Sequence, residues 1–208
     1  MTAPVTVRLL MVDADAVADV DLPRLRDWLA PGELARCQRF ARSQRLRQFV
    51  IGRVLARMAL GQVLGVPARA VVLEEQVAGA PLLAAPPLKN FDGGFSISHS
   101  GRWVACAVSA RTRLGLDIEL RDPGRDLAAL AAQAFDAHEV AQWQALAAAR
   151  RVDGFYRLWS EKEARFKLGA DGHGVSLAHD ELSVVVCTAR VLDEAPEIEV
   201  VLLDAGLK

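Results

Sequence analysis

Leu114-Gly115-Leu116-Asp117-Ile118-Glu119-Leu120 is the stretch on which the reading of this fold turns. Leu114, Leu116, Ile118 and Leu120 alternate with Gly115, Asp117 and Glu119, the period of two that a half-buried strand demands. The alternation puts Asp117 and Glu119 on the same side. Two carboxylates that close repel each other, and a hard divalent cation such as magnesium relieves the repulsion. Taken alone, an Asp-x-Glu pair reads as the solvent face of an edge strand.

Upstream, Trp103 to Val108 is almost wholly apolar, as in a strand buried on both faces, and Phe95 to Ser98 alternates apolar and polar. Residues 78–94 carry Pro81, Pro86, Pro87, Gly93 and Gly94, which is loop composition. Residues 70–74 read as a strand. A long helix runs from a cap at Ser43 towards Leu64, with Leu46, Val50, Val54 and Met58 as its buried stripe and Gly65-Val66-Pro67 as its stop. The spacing predicts a first strand over 5–12 and a short helix from Asp21 that ends near Pro31-Gly32, with helix resuming from Glu33.

Downstream, Asp136 and Glu139 form a capping-box pattern for a helix through Ala149. Asp153 is read as the cap of a second helix that ends at Gly169. Strands near 182–187 and 197–203 close the chain. Strands and helices mix in each half, so the fold class is α+β.

The chain has 208 residues, room for one large domain or two small ones sharing a core. Its net charge of −1 supplies no global field for nucleic acid. Cys37, Cys106 and Cys187 are widely spaced and odd in number, which argues against a disulfide framework or a structural zinc and for buried, reduced thiols. Residues 1–17 fit neither a signal peptide nor a membrane span, so the expected compartment is cytoplasmic.

Three further clusters could carry chemistry. On the helix around Trp159 to Lys167, Glu163 and Lys167 are four apart and share a face. The plain reading is a surface Glu–Lys pair; the functional reading adds Glu163 to the metal site and aims Lys167 at a phosphate. Ser98-His99-Ser100-Gly101 offers hydroxyls, backbone N–H groups and an imidazole to a phosphate. The run from Arg24 to Arg57 is rich in arginine; it reads either as a solvated helix face or as an anion site, with Arg36 and Arg39 three apart. Together the clusters describe metal-assisted chemistry on a small phosphorylated molecule.

At these residues the sequence resembles the surfactin-type 4′-phosphopantetheinyl transferases. Gly115 to Glu119 matches the family's Gly-x-Asp-x-Glu strand. Trp159 to Lys167 matches its Trp-Ser-x-Lys-Glu-Ala-x-x-x-Lys helix in all but one spacing residue, and Ser98 to Trp103 and Arg36 to Phe40 match two upstream blocks. The resemblance implies a monomer of two similar α+β halves related by a pseudo-twofold, residues 1–110 and 111–208, with coenzyme A in the cleft. It implies that Asp117, Glu119 and Glu163 hold magnesium. Ser98, His99 and Arg36, with Arg53 a looser candidate and Lys167 shared with catalysis, would bind coenzyme A. Glu163 and Lys167 would be catalytic. The implied partner is an apo acyl or peptidyl carrier protein from fatty-acid, polyketide or nonribosomal-peptide synthesis, and neither nucleic acid nor a membrane. Arg121 and Arg125, just past the metal strand, are the expected carrier contacts.

Two departures stand out. Gly79-Ala80-Pro81 replaces a pattern that often has a basic residue in the middle, with Lys89 as a possible substitute. Residues 169–174 make a longer, more flexible glycine loop than the family's. The rival readings are a magnesium-dependent nuclease and a coenzyme A or carrier-binding module without catalysis. His138, His173 and His179 are read as structural.

Overall fold

A computed structural model of the chain describes residues 3–77, 79–87 and 91–203. The first half contains β1 (Arg8–Asp13), α1 (Leu22–Arg26), α2 (Pro31–Cys37), α3 (Ser43–Leu64), β2 (Val72–Glu74), β3 (Leu82–Ala85), β4 (Gly94–Ser100) and β5 (Trp103–Ser109). The second contains β6 (Leu114–Leu120), α4 (Leu127–Ala134), α5 (Ala137–Gln144), α6 (Arg151–Leu168), β7 (His173–Leu177), β8 (Leu182–Thr188) and β9 (Ile198–Val200).

Two sheets pack face to face, each backed by one long helix. The first has strand order β4-β5-β1-β9 and the second β6-β8-β7; β2 and β3 form a separate two-stranded ribbon. Strand alternation sorts the side chains into layers. Leu10, Val12, Val104, Cys106 and Val108 face α3, where they meet Val50, Ile51, Val54 and Leu55. Leu9, Met11, Ala105 and Ala107 face the other way and share a core with Leu116, Ile118, Val184 and Val186 of the second sheet. On that sheet's far side Val185 and Cys187 pack under Ala164 and Leu168 of α6. Every residue of β5 is buried, as its apolar run from Trp103 to Val108 requires.

The α+β class and the two similar halves are as expected, and several local readings are corrected. Pro31 does not end a helix; it occupies the first turn of α2, where the missing N–H costs nothing. The region read as loop contains β3, and the glycine loop after α6 is short because His173 and Gly174 already belong to β7. No expected element corresponds to α4, which forms over Leu127–Ala134. Asp153 lies in the first turn of α6 rather than capping it, still close to the positive end of the helix dipole. Gly65 and Gly169 do close their helices in the left-handed conformation. Finally, β9 returns to the first half and pairs in parallel with β1.

The three cysteines are buried and unpaired. No helix among the described residues is long and apolar enough to cross a membrane.

Candidate active site

The edge strands of the two sheets, β4 and β6, run alongside each other in the same direction, joined by serine side chains. Ser98 Oγ donates to Asp117 Oδ1 (3.1 Å) and accepts the Ile118 N–H (3.2 Å). Ser100 repeats the arrangement one step on, donating to Glu119 Oε2 (2.8 Å) and accepting the Leu120 N–H (2.9 Å). Both pairs recur every two residues, so a Ser-x-Ser strand lines up against an Asp-x-Glu strand with every hydroxyl beside a carboxylate. Gly101, with φ of 55°, turns the chain tightly from β4 into β5.

Helix α6 supplies the third side. Gly115 is what lets it approach: a Cβ there would sit 2.0 Å from the Ala164 carbonyl oxygen. Lys167 thereby reaches across β6 and donates to Asp117 Oδ1 (2.7 Å), the Leu116 carbonyl (3.0 Å) and Ser98 Oγ (3.1 Å). Glu163 lies half-buried one turn earlier on the helix. Asp117 is buried rather than on a solvent face, and its Oδ2 has no hydrogen-bond partner among the described residues. Burial, with a smaller contribution from Asp117, pushes the Glu119 carboxyl above its ordinary range, although the Ser100 hydrogen bond pulls the other way. No group of three His, Cys, Asp or Glu side chains among the described residues closes into a metal site.

Beside this seam lies a cavity of about 480 Å³. Arg36, Arg53, His99 and Lys167, all singled out in the sequence, line it, and so do Arg45, Phe49, Ala80 and the exposed Phe166. Ser98 does not line it; its hydroxyl is engaged at the seam. Within 3.1 Å of His99, the Arg45 guanidinium meets both ring nitrogens. Burial first, and Arg45 second, pull the imidazole below its ordinary pKa. The arginine run is not a solvated face throughout, since Arg53 and Arg57 are buried in ion pairs with Glu33. The carboxylates that organise these arginines, Glu33 and Glu75, carried no distinguishing pattern in the sequence.

Two further residues named from the sequence lie as follows. Arg121 is tied to the carbonyl oxygens of His179 and Asp180 and lies 3.5 Å from Asp153, so its guanidinium is already engaged. Lys89 falls outside the described residues. The structural reading of His179 agrees with its packing: its ring stands edge-on to Trp103, and Nδ1 accepts the Glu181 and Leu182 N–H groups. A larger cavity, about 860 Å³, lies between the start of β1 and residues 194–199 and contains none of the motif residues.

Residues 19–111 match the family model described as 4′-phosphopantetheinyl transferase, N-terminal, and residues 113–200 match the 4′-phosphopantetheinyl transferase superfamily. The chain is 36% identical over 149 residues to a 4′-phosphopantetheinyl transferase of Bacillus subtilis, covering 72% of this chain and 62% of that protein. It is 34% identical to the 4′-phosphopantetheinyl transferase HetI of a Nostoc species, covering 81% of this chain and 70% of that one. Against the transferase Sfp of Bacillus subtilis strain 168 the identity is 31%, with 77% and 68% covered. The chain thus spans roughly two thirds of the length of these relatives, and less than two thirds of the first.

Proposed function

The chain belongs to the 4′-phosphopantetheinyl transferase superfamily, and on that footing we propose that it transfers the 4′-phosphopantetheine arm of coenzyme A to a serine of an apo acyl or peptidyl carrier protein. Adenosine 3′,5′-bisphosphate would be released. The observation that carries this reading is the meeting, at one seam, of Asp117, Glu119 and Lys167 beside a cavity lined by Arg36, Arg53 and His99. Residues 1–110 supply the nucleotide-end contacts, and residues 111–208 the carboxylates and the catalytic helix.

The oxygen chemistry of these carboxylates suits magnesium, although no three of them are already gathered into a site among the described residues. Among the described residues Asp117 keeps a buried, unpartnered oxygen, and the Glu119 carboxyl lies in surroundings that penalise its charge. Asp117, Glu119 and Glu163 would hold the ion, which when bound neutralises pyrophosphate charge and orients the diphosphate. Lys167 then has two duties, holding Asp117 in the free chain and offering a cation to charge developing on the diphosphate. Arg36, Arg53 and His99 anchor the nucleotide end. The carrier serine oxygen forms a bond to the β-phosphorus as the bond to the α-phosphate oxygen breaks, and Glu163, directly or through a water, takes the serine proton.

Intact-mass spectrometry of an apo carrier incubated with coenzyme A and magnesium tests the reading. The expected result is a gain of one phosphopantetheine, abolished by chelation and lost in Asp117→Ala and Glu163→Gln. Full modification by both variants would overturn the assigned site. A second reading, a binding module without turnover, draws on Ala80, which lines the cavity where the family pattern often has a basic residue. Coenzyme A binding with no mass gain on any carrier would select it. For docking, Arg125 is the exposed cation beyond β6. Arg125→Glu is expected to raise KM for an acidic carrier several-fold and leave KM for coenzyme A unchanged; an unaltered carrier KM would remove Arg125 from the interface.

A further inference from the structure

Five charged side chains form a line from the core of the first half to the floor of the cavity. Arg57, 1% exposed, donates twice to Glu33, at 3.1 and 2.5 Å. Arg53 follows; its Nε is 3.2 Å from Glu33 but off the hydrogen-bond direction, and its Nη2 donates to Glu75 Oε1. Arg36 closes the line with a 2.5 Å bond to the other Glu75 oxygen. The inner carboxylate is fully committed, because Glu33 also accepts the Ala30 N–H at the start of α2 (2.7 Å). The outer one is different: among the described residues, the side-chain partners of Glu75 are Arg36 and Arg53, both of which line the cavity.

Phe49 fixes the two guanidiniums. Arg36 and Arg53 lie over its ring at 5.3 and 4.7 Å, so both are held against one surface while their N–H groups converge on one carboxylate. Two guanidiniums converging on a pair of oxygens equally suit a phosphomonoester. Glu75 reaches them from an adjoining cavity of about 690 Å³, which shares Arg36, Phe40 and Gly79 with the first. The carboxylate therefore stands behind the arginines as seen from the ligand cavity.

We infer that Glu75 is an internal counter-anion which competes with the ligand's phosphomonoester for Arg36 and Arg53 and so sets the affinity of the cavity for it. The inference rests on the coenzyme A reading above, in which that group is the 3′-phosphate. In the free chain Glu75 neutralises one of the two charges that an incoming phosphate would meet and keeps the guanidiniums aligned. On binding, the phosphate must share or take over those donors. Specificity follows, because only a ligand with a full dianionic phosphate outcompetes a carboxylate already in place.

Calorimetric titration of coenzyme A and 3′-dephospho-coenzyme A into the wild-type chain and Glu75→Gln tests this without turnover. The glutamine keeps the shape and removes the charge. Coenzyme A is expected to bind the variant roughly tenfold more tightly and with a steeper salt dependence, while 3′-dephospho-coenzyme A is unchanged. Arg36→Gln should weaken coenzyme A and erase the gain in the double variant. Equal tightening of both ligands would place the phosphomonoester elsewhere and overturn the inference. Unchanged or weaker coenzyme A binding by a folded variant would overturn it too, leaving Glu75 as a support for the arginines. Absence of coenzyme A binding by the wild-type chain would instead overturn the coenzyme reading itself. Should Glu75→Gln not fold, Glu75→Asp withdraws the same charge from Arg36 and is expected to give a smaller tightening of the same selectivity; no selective change there is again a refutation.

Discussion

Ser98 and Ser100 hold equivalent places in the seam but differ in burial, and that difference can be measured. Ser98 is buried, so Ser98→Ala strands the Ile118 N–H and removes a donor from Asp117. A loss of about 2 kcal/mol is expected for such a buried pair of bonds. Ser100 is more open, water can replace its hydroxyl, and Ser100→Ala is expected to lose about 0.5 kcal/mol. Urea denaturation of the two variants tests the ranking; equal losses would mean that the seam is not sealed at Ser98. His99 gives a pH signature. Its imidazole is held below the usual pKa near 6.5, chiefly by burial. In the window between the folded and ordinary values, the unfolded chain binds more protons than the native one. Stability therefore falls as pH drops through that window. Tm of the wild-type chain should decline more steeply than that of His99→Gln between about pH 7 and pH 5; parallel curves would remove His99 as the cause. The pairing of Ser-x-Ser with Asp-x-Glu was latent in the sequence as two period-two motifs. Which hydroxyl meets which carboxylate was not, because register between strands of different sheets has no local signal.

Among the elements, α6 and α3 are each seated by one unusual residue. Gly115 on β6 sits under the Ala164 carbonyl and the Leu168 N–H of α6. Gly115→Ala must lift the helix and is expected to destabilise by about 3 kcal/mol, with Lys167 drawn away from Asp117. The proposed phosphopantetheinyl transfer should fall further than the folded fraction does, and retained activity in the folded part would show that α6 can shift without cost. For α3 the corresponding residue is Glu33, which joins α2 to Arg57 in the buried helix. Glu33→Ala leaves Arg57 without its carboxylate and is expected to lose about 4 kcal/mol, read by the denaturation midpoint. Asp136 and Glu139 announced α5, and they do form the reciprocal cap. By contrast α4, Leu127-Ala128-Ala129-Leu130-Ala131-Ala132-Gln133-Ala134, has apolar residues all round and so little contrast between faces; its one legible sign was the cap Asp126, which accepts the Ala129 N–H. The strands β3 and β7 are short and flanked by proline or glycine, so their chemistry reads as turn until a partner strand is supplied.

At the scale of the whole molecule, one core is fed from both halves and one strand crosses between them. Leu9 and Met11 of β1 pack with Leu116, Ile118, Val184 and Val186, and β9 pairs with β1. Thermal unfolding is therefore expected as a single cooperative transition. Truncation after Pro196 removes β9 and the buried Leu203, and should lower Tm for the whole chain while keeping one transition; two separate transitions in calorimetry would show that the halves fold independently. A local period or a motif is enough to encode the α+β class, the strand bearing Asp117 and Glu119, the helix bearing Glu163 and Lys167, and the family those motifs belong to. The partners of distant charges emerge only from the folded chain. Lys167 with Asp117, Arg53 with Glu33 and Glu75, and Arg121 with the backbone at His179 join residues 20 to 60 positions apart. The reason is physical: a charged side chain in sequence looks the same whether water or a buried counter-ion will surround it, and the choice falls only when packed strands and helices exclude the water.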